Sequence, residues 1–227
     1  MSSAVEMSLT VRQPTGWTPV ESQSTSGAAS SAQSSVGVVV VVVSGSRVVA
    51  ESAGSLGSSL ISAGSETTTL GACHMFRHLF DHPDQFALVR EDPSLIPNAV
   101  REALRYDFGS LAAVTPRYAT EDFELHGKTI RRGDSIMLSP ASANRDASVF
   151  EDPHRFDVTR DAREALTFGN GPHYCLGANL AMQELSFMLD AALTFLSADA
   201  VLESSEDDWE QVGIMRRPLR MIVDLQR

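Results

Sequence analysis

The sequence predicts a mainly α fold with small β-sheets, an α+β architecture, in the region from about residue 60 to residue 227. Apolar residues recur there at three- and four-residue spacing, which is the period of amphipathic helices. Short runs of strand-forming residues, punctuated by glycines, lie between the helical segments. Residues 1–59 are instead rich in Ser, Gly, Ala and Val and show no lasting period. We therefore predict a low-complexity, poorly ordered region over 1–59 and a packed region over 60–227.

The helices follow from this periodicity in chain order. The first is predicted over Ser65–Phe80, with Leu70 and Cys73 on its apolar side. Pro83 suits the first turn of a second helix, which continues to about Arg90. Further helices are predicted over Ser94–Tyr106, Ala141–Asp146 and Leu176–Leu196.

The predicted strands are short. They are Val114–Tyr118, Phe123–Leu125, Thr129–Ile130, Ser135–Leu138 and parts of Val212–Val223. The run Val36–Val43 has strong β-propensity and no charge, so it is either a strand or an aggregation-prone stretch. Glu151–His173 contains Pro, Gly and Asp throughout, and we predict that it is mostly irregular.

Charge and composition exclude several classes of function. The formal net charge is -11, and an acidic chain without clustered Lys and Arg is a poor candidate for nucleic-acid binding. The N-terminus lacks the pattern of a signal peptide, and the valine run is too short to span a bilayer. The two cysteines lie far apart, which argues against a disulfide framework. We therefore expect a soluble, cytoplasmic protein without a nucleic-acid or membrane partner.

The most informative segment is Phe168–Gly177, which surrounds Cys175. Gly169 and Gly171 allow positive φ and a close approach of the backbone to another group. Cys175 comes just before a predicted helix, whose dipole favours a thiolate by about 1 kcal/mol. A lone cysteine at such a place is ordinarily a small buried hydrophobe. A zinc site would need a second cysteine at ligand spacing, and the sequence has none.

The complete ten-residue pattern resembles the Phe-x-x-Gly-x-x-x-Cys-x-Gly haem loop of the cytochrome P-450 family, in its bacterial form. The resemblance implies the C-terminal portion of that fold, haem b as the cofactor, and Cys175 as the axial ligand of the haem iron. It also implies that Phe168 shields the thiolate and that Arg117 and His173 contact the haem propionates. The implied cofactor-binding residues are Arg117, Phe168, Gly169, Gly171, His173, Cys175 and Gly177.

A second motif lies upstream. Ala63–Thr68 resembles the distal helix motif of the same family. The resemblance implies two catalytic residues: Thr67 would hydrogen-bond bound dioxygen, and Glu66 would relay protons. An acid next to an alcohol is also common at helix N-caps, so the hexapeptide alone does not decide between the two interpretations. Its order and spacing before the cysteine loop favour the catalytic one.

Glu102 and Arg105 resemble the family's Glu-x-x-Arg pair. A spacing of three places both side chains on one face of a helix, where an ordinary exposed ion pair is the common alternative. The resemblance implies a structural triad that is completed by an arginine before the cysteine loop. We assign Arg155, in Asp152–Phe156, to that third position.

The sequence also contains the pattern of a competing metal site. His74, His78 and His82 follow each other at four-residue spacing beside Cys73, and a helix could present them together to a metal ion. Pro83 indicates that the helix ends near His82. Histidines in such a pattern are usually solvated surface, so we expect no metal site here.

The resemblance covers the chain from about Ala63, and family members are considerably longer. Glu51–Ser62 is rich in Ser and Gly where the family has an apolar helix. Residues 1–59 show no relation to the part that normally forms the substrate pocket. Met182 stands where many bacterial members carry Arg, near the face that receives electrons. Our hypothesis is a family member that is truncated or frame-disrupted at its N-terminus.

The function that the resemblance implies is a monooxygenase that converts R–H, O2, two electrons and two protons into R–OH and water. A small organic substrate and O2 would be its ligands, and a ferredoxin or flavodoxin-type protein its electron donor. Two alternatives stay open: a non-catalytic haem-binding fragment, and an inactive remnant or interaction protein without haem.

Overall fold

The computed structural model describes residues 39–41, 56–110, 116–203 and 208–225. Within these ranges the α-helices are α1 (Leu56–Asp81), α2 (Pro83–Glu91), α3 (Ile96–Tyr106), α4 (Pro140–Ala143) and α5 (Ala178–Phe195). The strands are β1 (Val39–Val41), β2 (Arg117–Tyr118), β3 (Phe123–Leu125), β4 (Lys128–Ile130), β5 (Ser135–Ile136), β6 (Val201–Glu203), β7 (Trp209–Val212), β8 (Met215–Pro218) and β9 (Met221–Asp224). Short 3-10 helices lie at Pro93–Leu95 and Gly171–His173. The predicted mainly α fold with small β-sheets is confirmed.

The sequence pattern predicted the start of α2 correctly and placed the start of α1 too late in the chain. α2 begins at Pro83, as predicted from the fixed φ of proline. α1 begins at Leu56, so it includes most of the stretch Glu51–Ser62 that the sequence does not favour as helix. Ser and Gly cost only about 0.5–1 kcal/mol each in a helix interior. Since the second half of α1 is anchored in the core, adding turns to an existing helix is far easier than starting one.

The hydrophobic core forms where α1, α3 and α5 meet. Met75 and Leu79 of α1, Val100 of α3 and Leu189 of α5 are fully buried there. Burial of one such side chain contributes about 1.5–3 kcal/mol. Gly71 permits the close approach, because a Cβ at this position would lie 3.2 Å from Leu104 Cδ2. The three helices therefore form a rigid base, and the cysteine loop leads directly into one of them.

The sheets are small and antiparallel. One sheet has the order β1-β9-β6, and the pairs β2-β5, β3-β4 and β7-β8 form two-stranded units. β1 pairs with β9 through Val39–Val223 and Val41–Met221, so of the two alternatives for Val36–Val43 the structure shows the strand, over Val39–Val41. The rest of the predicted region 1–59 lies outside the described residues, apart from the first residues of α1.

The long connection from α4 to α5 is mostly irregular, as predicted for Glu151–His173. Its conformation depends on side chains that bond to its backbone, and the residues that provide these bonds belong to the candidate site. In the described part of the chain, no helix combines the length and the apolar character needed to cross a membrane.

Candidate functional site

The cysteine loop is built from two left-handed glycines and one 3-10 turn. Gly169 has φ +75° and Gly171 has φ +69°, a region that side chains with a Cβ rarely adopt. The Cys175 N–H donates to Phe168 O at 2.8 Å, which closes the loop across its base. α5 begins at Ala178, so Cys175 lies immediately before a helix N-terminus, as predicted.

The thiol of Cys175 is presented outward. Cys175 is exposed, and a Cβ added at Gly177 would lie 4.0 Å from its Sγ. Leu176 and Leu180 beside it are 86% and 61% exposed. An open thiol next to exposed apolar side chains fits a flat apolar ligand whose iron binds a soft sulfur donor. The local geometry is therefore compatible with haem ligation.

The second cysteine does not compete for this role. Cys73 is buried in α1, and burial raises the pKa of its thiol to about 12. A thiol of this kind stays protonated and has no access to an external iron. Between the two cysteines of the chain, Cys175 is thus the residue suited to bind a metal cofactor.

Glu102 and Arg105 form a fully buried ion pair on α3. Arg105 Nε lies 2.6 Å from Glu102 Oε2, and Arg105 Nη2 donates to Glu102 Oε1 at 2.8 Å. This bidentate geometry is the strong form of an arginine–carboxylate pair. Arg105 also donates to Asn144 O at 2.7 Å and to Pro153 O at 3.0 Å. The pair therefore ties α3 to the irregular connection that leads to the cysteine loop.

The third member of this network is Arg160, and the assignment of Arg155 is wrong. The Arg155 side chain is 63% exposed and lies 3.6 Å from Asp157. Arg160 Nε lies 3.2 Å from Glu102 Oε1, and its Nη2 donates to Asp152 O and Arg155 O. The Arg160 side chain is only 11% exposed, so of these two arginines Arg160 is the one that reaches the buried carboxylate. Arg155 takes part only through its backbone carbonyl.

Asn144 provides a clamp that the sequence did not reveal. Its side chain is buried, accepts the Leu166 N–H at 2.6 Å and donates to Thr167 Oγ1 at 3.0 Å. Thr167 Oγ1 in turn donates to Leu104 O of α3 at 2.9 Å. The residue directly before Phe168 is therefore fastened to α3, which positions the start of the cysteine loop. Nothing in the local sequence Asn144-Arg145-Asp146 indicates that Asn144 bonds to residues more than 20 positions away.

Glu66 and Thr67 both lie on the exposed face of α1. Thr67 Oγ1 donates to Ala63 O at 2.8 Å, one helical turn earlier. Glu66 lies 3.4 Å from Arg217 of β8, whose Nε is 2.6 Å from Glu210. The helix therefore carries both residues in the predicted order, and their catalytic roles stay a prediction.

The two predicted propionate contacts lie in different elements. Arg117 is half-buried in β2, and its Nη1 donates to Pro116 O at 3.5 Å. His173 ends the 3-10 turn that precedes Cys175, and it is exposed. Their roles toward a carboxylate also stay predictions.

The histidines of α1 are not solvated surface, and that expectation is wrong for two of them. His74 and His78 are 1% and 6% exposed, because the hairpin β7-β8 and the loop after α3 cover this face of the helix. Burial lowers the pKa of His78 to about 4, and burial also lowers the pKa of His74. His82 stands between α1 and α2, so the predicted break at Pro83 is confirmed.

A cleft of about 280 Å³ lies beside the cysteine loop. Phe168, Gly169 and Tyr174 of the loop form one wall, and Arg101 of α3 and Met182 of α5 form another. Met182, which the sequence analysis associated with the face that receives electrons, therefore lines this open cleft.

Comparisons with known proteins agree with this geometry. The chain matches the family model described as cytochrome P-450 over residues 55–224. It is 42% identical over 139 residues to 6-deoxyerythronolide B hydroxylase from Saccharopolyspora erythraea, and the alignment covers 61% of this chain and 34% of that protein. Nocardicin C N-oxygenase from Nocardia uniformis is 39% identical over 170 residues, with 74% of this chain and 42% of that protein covered.

A solved structure gives the same result. The cytochrome P-450 CYP109Q5 from Chondromyces apiculatus superimposes with a TM-score of 0.68 and 36% sequence identity, covering 74% of this chain and 42% of that one. The chain therefore spans between 34% and 42% of the length of these three proteins.

Proposed function

The chain belongs to the cytochrome P-450 family, and we propose that it supplies the haem-thiolate part of a monooxygenase. The observation that carries this proposal is the exposed thiol of Cys175, held between left-handed glycines and the N-terminus of α5. Members of the family bind haem b. When bound, this cofactor supplies the activation of dioxygen, and a thiolate ligand favours cleavage of the O–O bond.

The residues of this chain would hold and orient the cofactor. Cys175 would provide the sulfur that binds the haem iron, and Phe168 would limit the access of water to it. Arg117 and His173 would hold the propionates through charge-assisted hydrogen bonds. The buried Glu102–Arg105 pair and Arg160 keep the preceding connection in place, so the position of Sγ does not depend on the loop alone.

Thr67 and Glu66 would supply a hydroxyl and a carboxylate for the proton transfers of the reaction. The Thr67 hydroxyl donates its hydrogen to Ala63 O. Thr67 Oγ1 can therefore still accept a hydrogen bond from another group. Glu66 is exposed and would exchange protons with solvent. We propose a small organic substrate, O2 and a ferredoxin or flavodoxin-type electron donor as the partners of the complete reaction. Residues 60–227 form the haem-binding region in this proposal, and they follow a low-complexity part, 1–59, from which Val39–Val41 pairs with β9.

The ligand assignment is tested by the spectrum of the purified full chain after haem addition, reduction and exposure to CO. We expect the red-shifted Soret band of thiolate-ligated haem in the unmodified protein and its loss in Cys175→Ala. Cys73→Ala is the matched control and should keep the band, because its thiol is buried. Retention of the band in Cys175→Ala would refute the assignment.

A second candidate function is haem binding without turnover. The observation that favours it is the exposed thiol of Cys175, because this geometry supports ligation of the haem iron and does not itself require oxidation of a substrate. An assay of substrate oxidation by the haem-loaded chain with added electron donor separates the two functions. Turnover supports the monooxygenase. A thiolate spectrum without turnover supports the haem-binding fragment. Absence of the thiolate spectrum would favour the remnant without haem.

A further inference from the structure

A cluster of metal-binding side chains lies apart from the cysteine loop and the ion-pair network. In the described part of the chain, His74, His78 and Asp107 each offer one ligand atom, and these atoms lie within 4.8 Å of one another. Both histidines are buried, and the Asp107 side chain is 38% exposed. The cluster thus has a closed inner side and an open outer side.

The hydrogen bonds of the two rings determine which nitrogen is available. His74 Nε2 lies 2.8 Å from Arg216 O, and His78 Nε2 lies 3.0 Å from Asp107 O. A backbone carbonyl only accepts, so each Nε2 carries the proton and donates it. The lone pair of each neutral ring is therefore on Nδ1. An Nε2–H bond to a backbone carbonyl is the usual support of a histidine that binds a metal through its other nitrogen.

The Nδ1 atom of His74 is buried and has no hydrogen-bond partner among the described residues. It lies 3.7 Å from Asp107 Oδ2. The other carboxylate oxygen, Oδ1, accepts the Gly109 N–H at 2.7 Å, which turns Oδ2 toward the ring. Two electron-pair donors consequently face each other without a hydrogen between them. A buried arrangement of this kind is costly unless a cation lies between the two donors.

We propose that His74, His78 and Asp107 bind a divalent transition-metal ion, with zinc as the ion that suits the site. Zinc binds histidine nitrogen and carboxylate oxygen at about 2.0–2.2 Å, which places two ligands of a tetrahedral ion about 3.3 Å apart. The separation of 3.7 Å between His74 Nδ1 and Asp107 Oδ2 is close to this value. The exposed side of Asp107 would give an ion access from solvent, and a water molecule would be its fourth ligand.

The ligands are held in place before any ion arrives. The His74 ring packs edge-on against Trp209 of β7, with 4.9 Å between the centroids. Gly109 has φ +82°, and a Cβ there would lie 2.7 Å from His74 Cδ2 and 2.8 Å from Arg216 O. Only glycine allows the loop that carries Asp107 to lie this close to the ring. An ion in this site would link α1 to the loop after α3, and it would stabilise that junction.

Zinc titration of the full chain tests the proposal. The protein is treated with EDTA and dialysed, and isothermal titration calorimetry is done in a Cys175→Ser background, which removes the exposed thiol as a competing ligand. We expect one zinc ion per chain. Asp107→Asn preserves an acceptor for the Gly109 N–H but removes the charged ligand, and it should weaken binding at least tenfold. His82→Gln, a change of a neighbouring histidine outside the cluster, should leave the affinity unchanged.

Two results would overturn the proposal: no zinc binding in the Cys175→Ser background, or equal affinity in Asp107→Asn. Cobalt substitution in the same background provides a test that does not need the Asp107 variant to fold. Bound Co²⁺ should show visible bands of a four-coordinate nitrogen and oxygen site, and their absence would also reject the assignment.

Discussion

Arg160 Nε lies 3.2 Å from Glu102 Oε1, and this contact closes the network that supports the cysteine loop. The same oxygen accepts the Asp157 N–H at 3.0 Å, and Arg105 donates to both oxygens of the carboxylate. One buried carboxylate therefore holds two arginines and one backbone amide. The junction between α3 and the irregular connection depends on it.

We predict that Arg160→Ala destabilises the protein more than Arg155→Ala does. Arg160→Ala removes a partner of a buried carboxylate and three bonds to backbone carbonyls, at a cost of about 1–3 kcal/mol. Arg155→Ala changes an exposed side chain and should stay within about 0.5 kcal/mol. Urea unfolding followed by circular dichroism measures both. Equal effects of the two substitutions would contradict the position given to Arg160.

Glu102→Gln should be more damaging than either arginine change. It preserves the shape of the side chain but leaves the buried Arg105 guanidinium without a counter-charge. Removal of one partner of a buried pair costs about 3–5 kcal/mol. The free energy of unfolding from urea titration is the measurement. Asp161→Asn, which alters an exposed pair with Arg163, is the matched control and should be nearly neutral. A near-neutral Glu102→Gln would show that the pair does not stabilise the fold.

The two cysteines should differ sharply in reactivity. In the haem-free protein at pH 8, an alkylating reagent should modify Cys175 alone, because burial raises the pKa of Cys73 to about 12 and keeps its thiol protonated. Mass spectrometry after digestion locates the label. In urea the pKa of Cys73 returns to its ordinary value and both thiols should react. Rapid labelling of Cys73 in the folded protein would contradict its buried position. Protection of Cys175 by added haem would support the ligand assignment.

Gly109→Ala should destabilise the protein more than Gly127→Ala. Both glycines have positive φ, +82° and +73°, so both substitutions carry a backbone cost of about 1 kcal/mol or more. At Gly109 the new methyl also meets the His74 ring and Arg216 O, whereas at Gly127 it meets open space. We expect an additional loss of about 1–3 kcal/mol from this crowding. Thermal unfolding of the two variants compares the costs, and equal losses would show that the contact with His74 does not restrict this position.

Local sequence was sufficient to predict much of the fold. The apolar period located α3 and α5, Pro83 located the start of α2, and the pattern of the cysteine loop identified Cys175. These features depend on residues near each other in the chain, so their physical causes can be read from spacing alone. The extension of α1 to Leu56 could not be read in this way, because it depends on anchoring by the core.

By itself, the sequence determined the family, the cysteine of the haem loop, and the pairing of Glu102 with Arg105 one helical turn away. Only the tertiary structure decided that Arg160 joins Glu102, because the two residues lie in different elements and meet only when the irregular connection packs against α3. It also decided that His74 and Asp107 meet, since 33 residues separate them in the chain and their contact requires the packing of α1 against the loop after α3. Spacing specifies neighbours within one helix. Contacts between distant elements follow from how those elements pack.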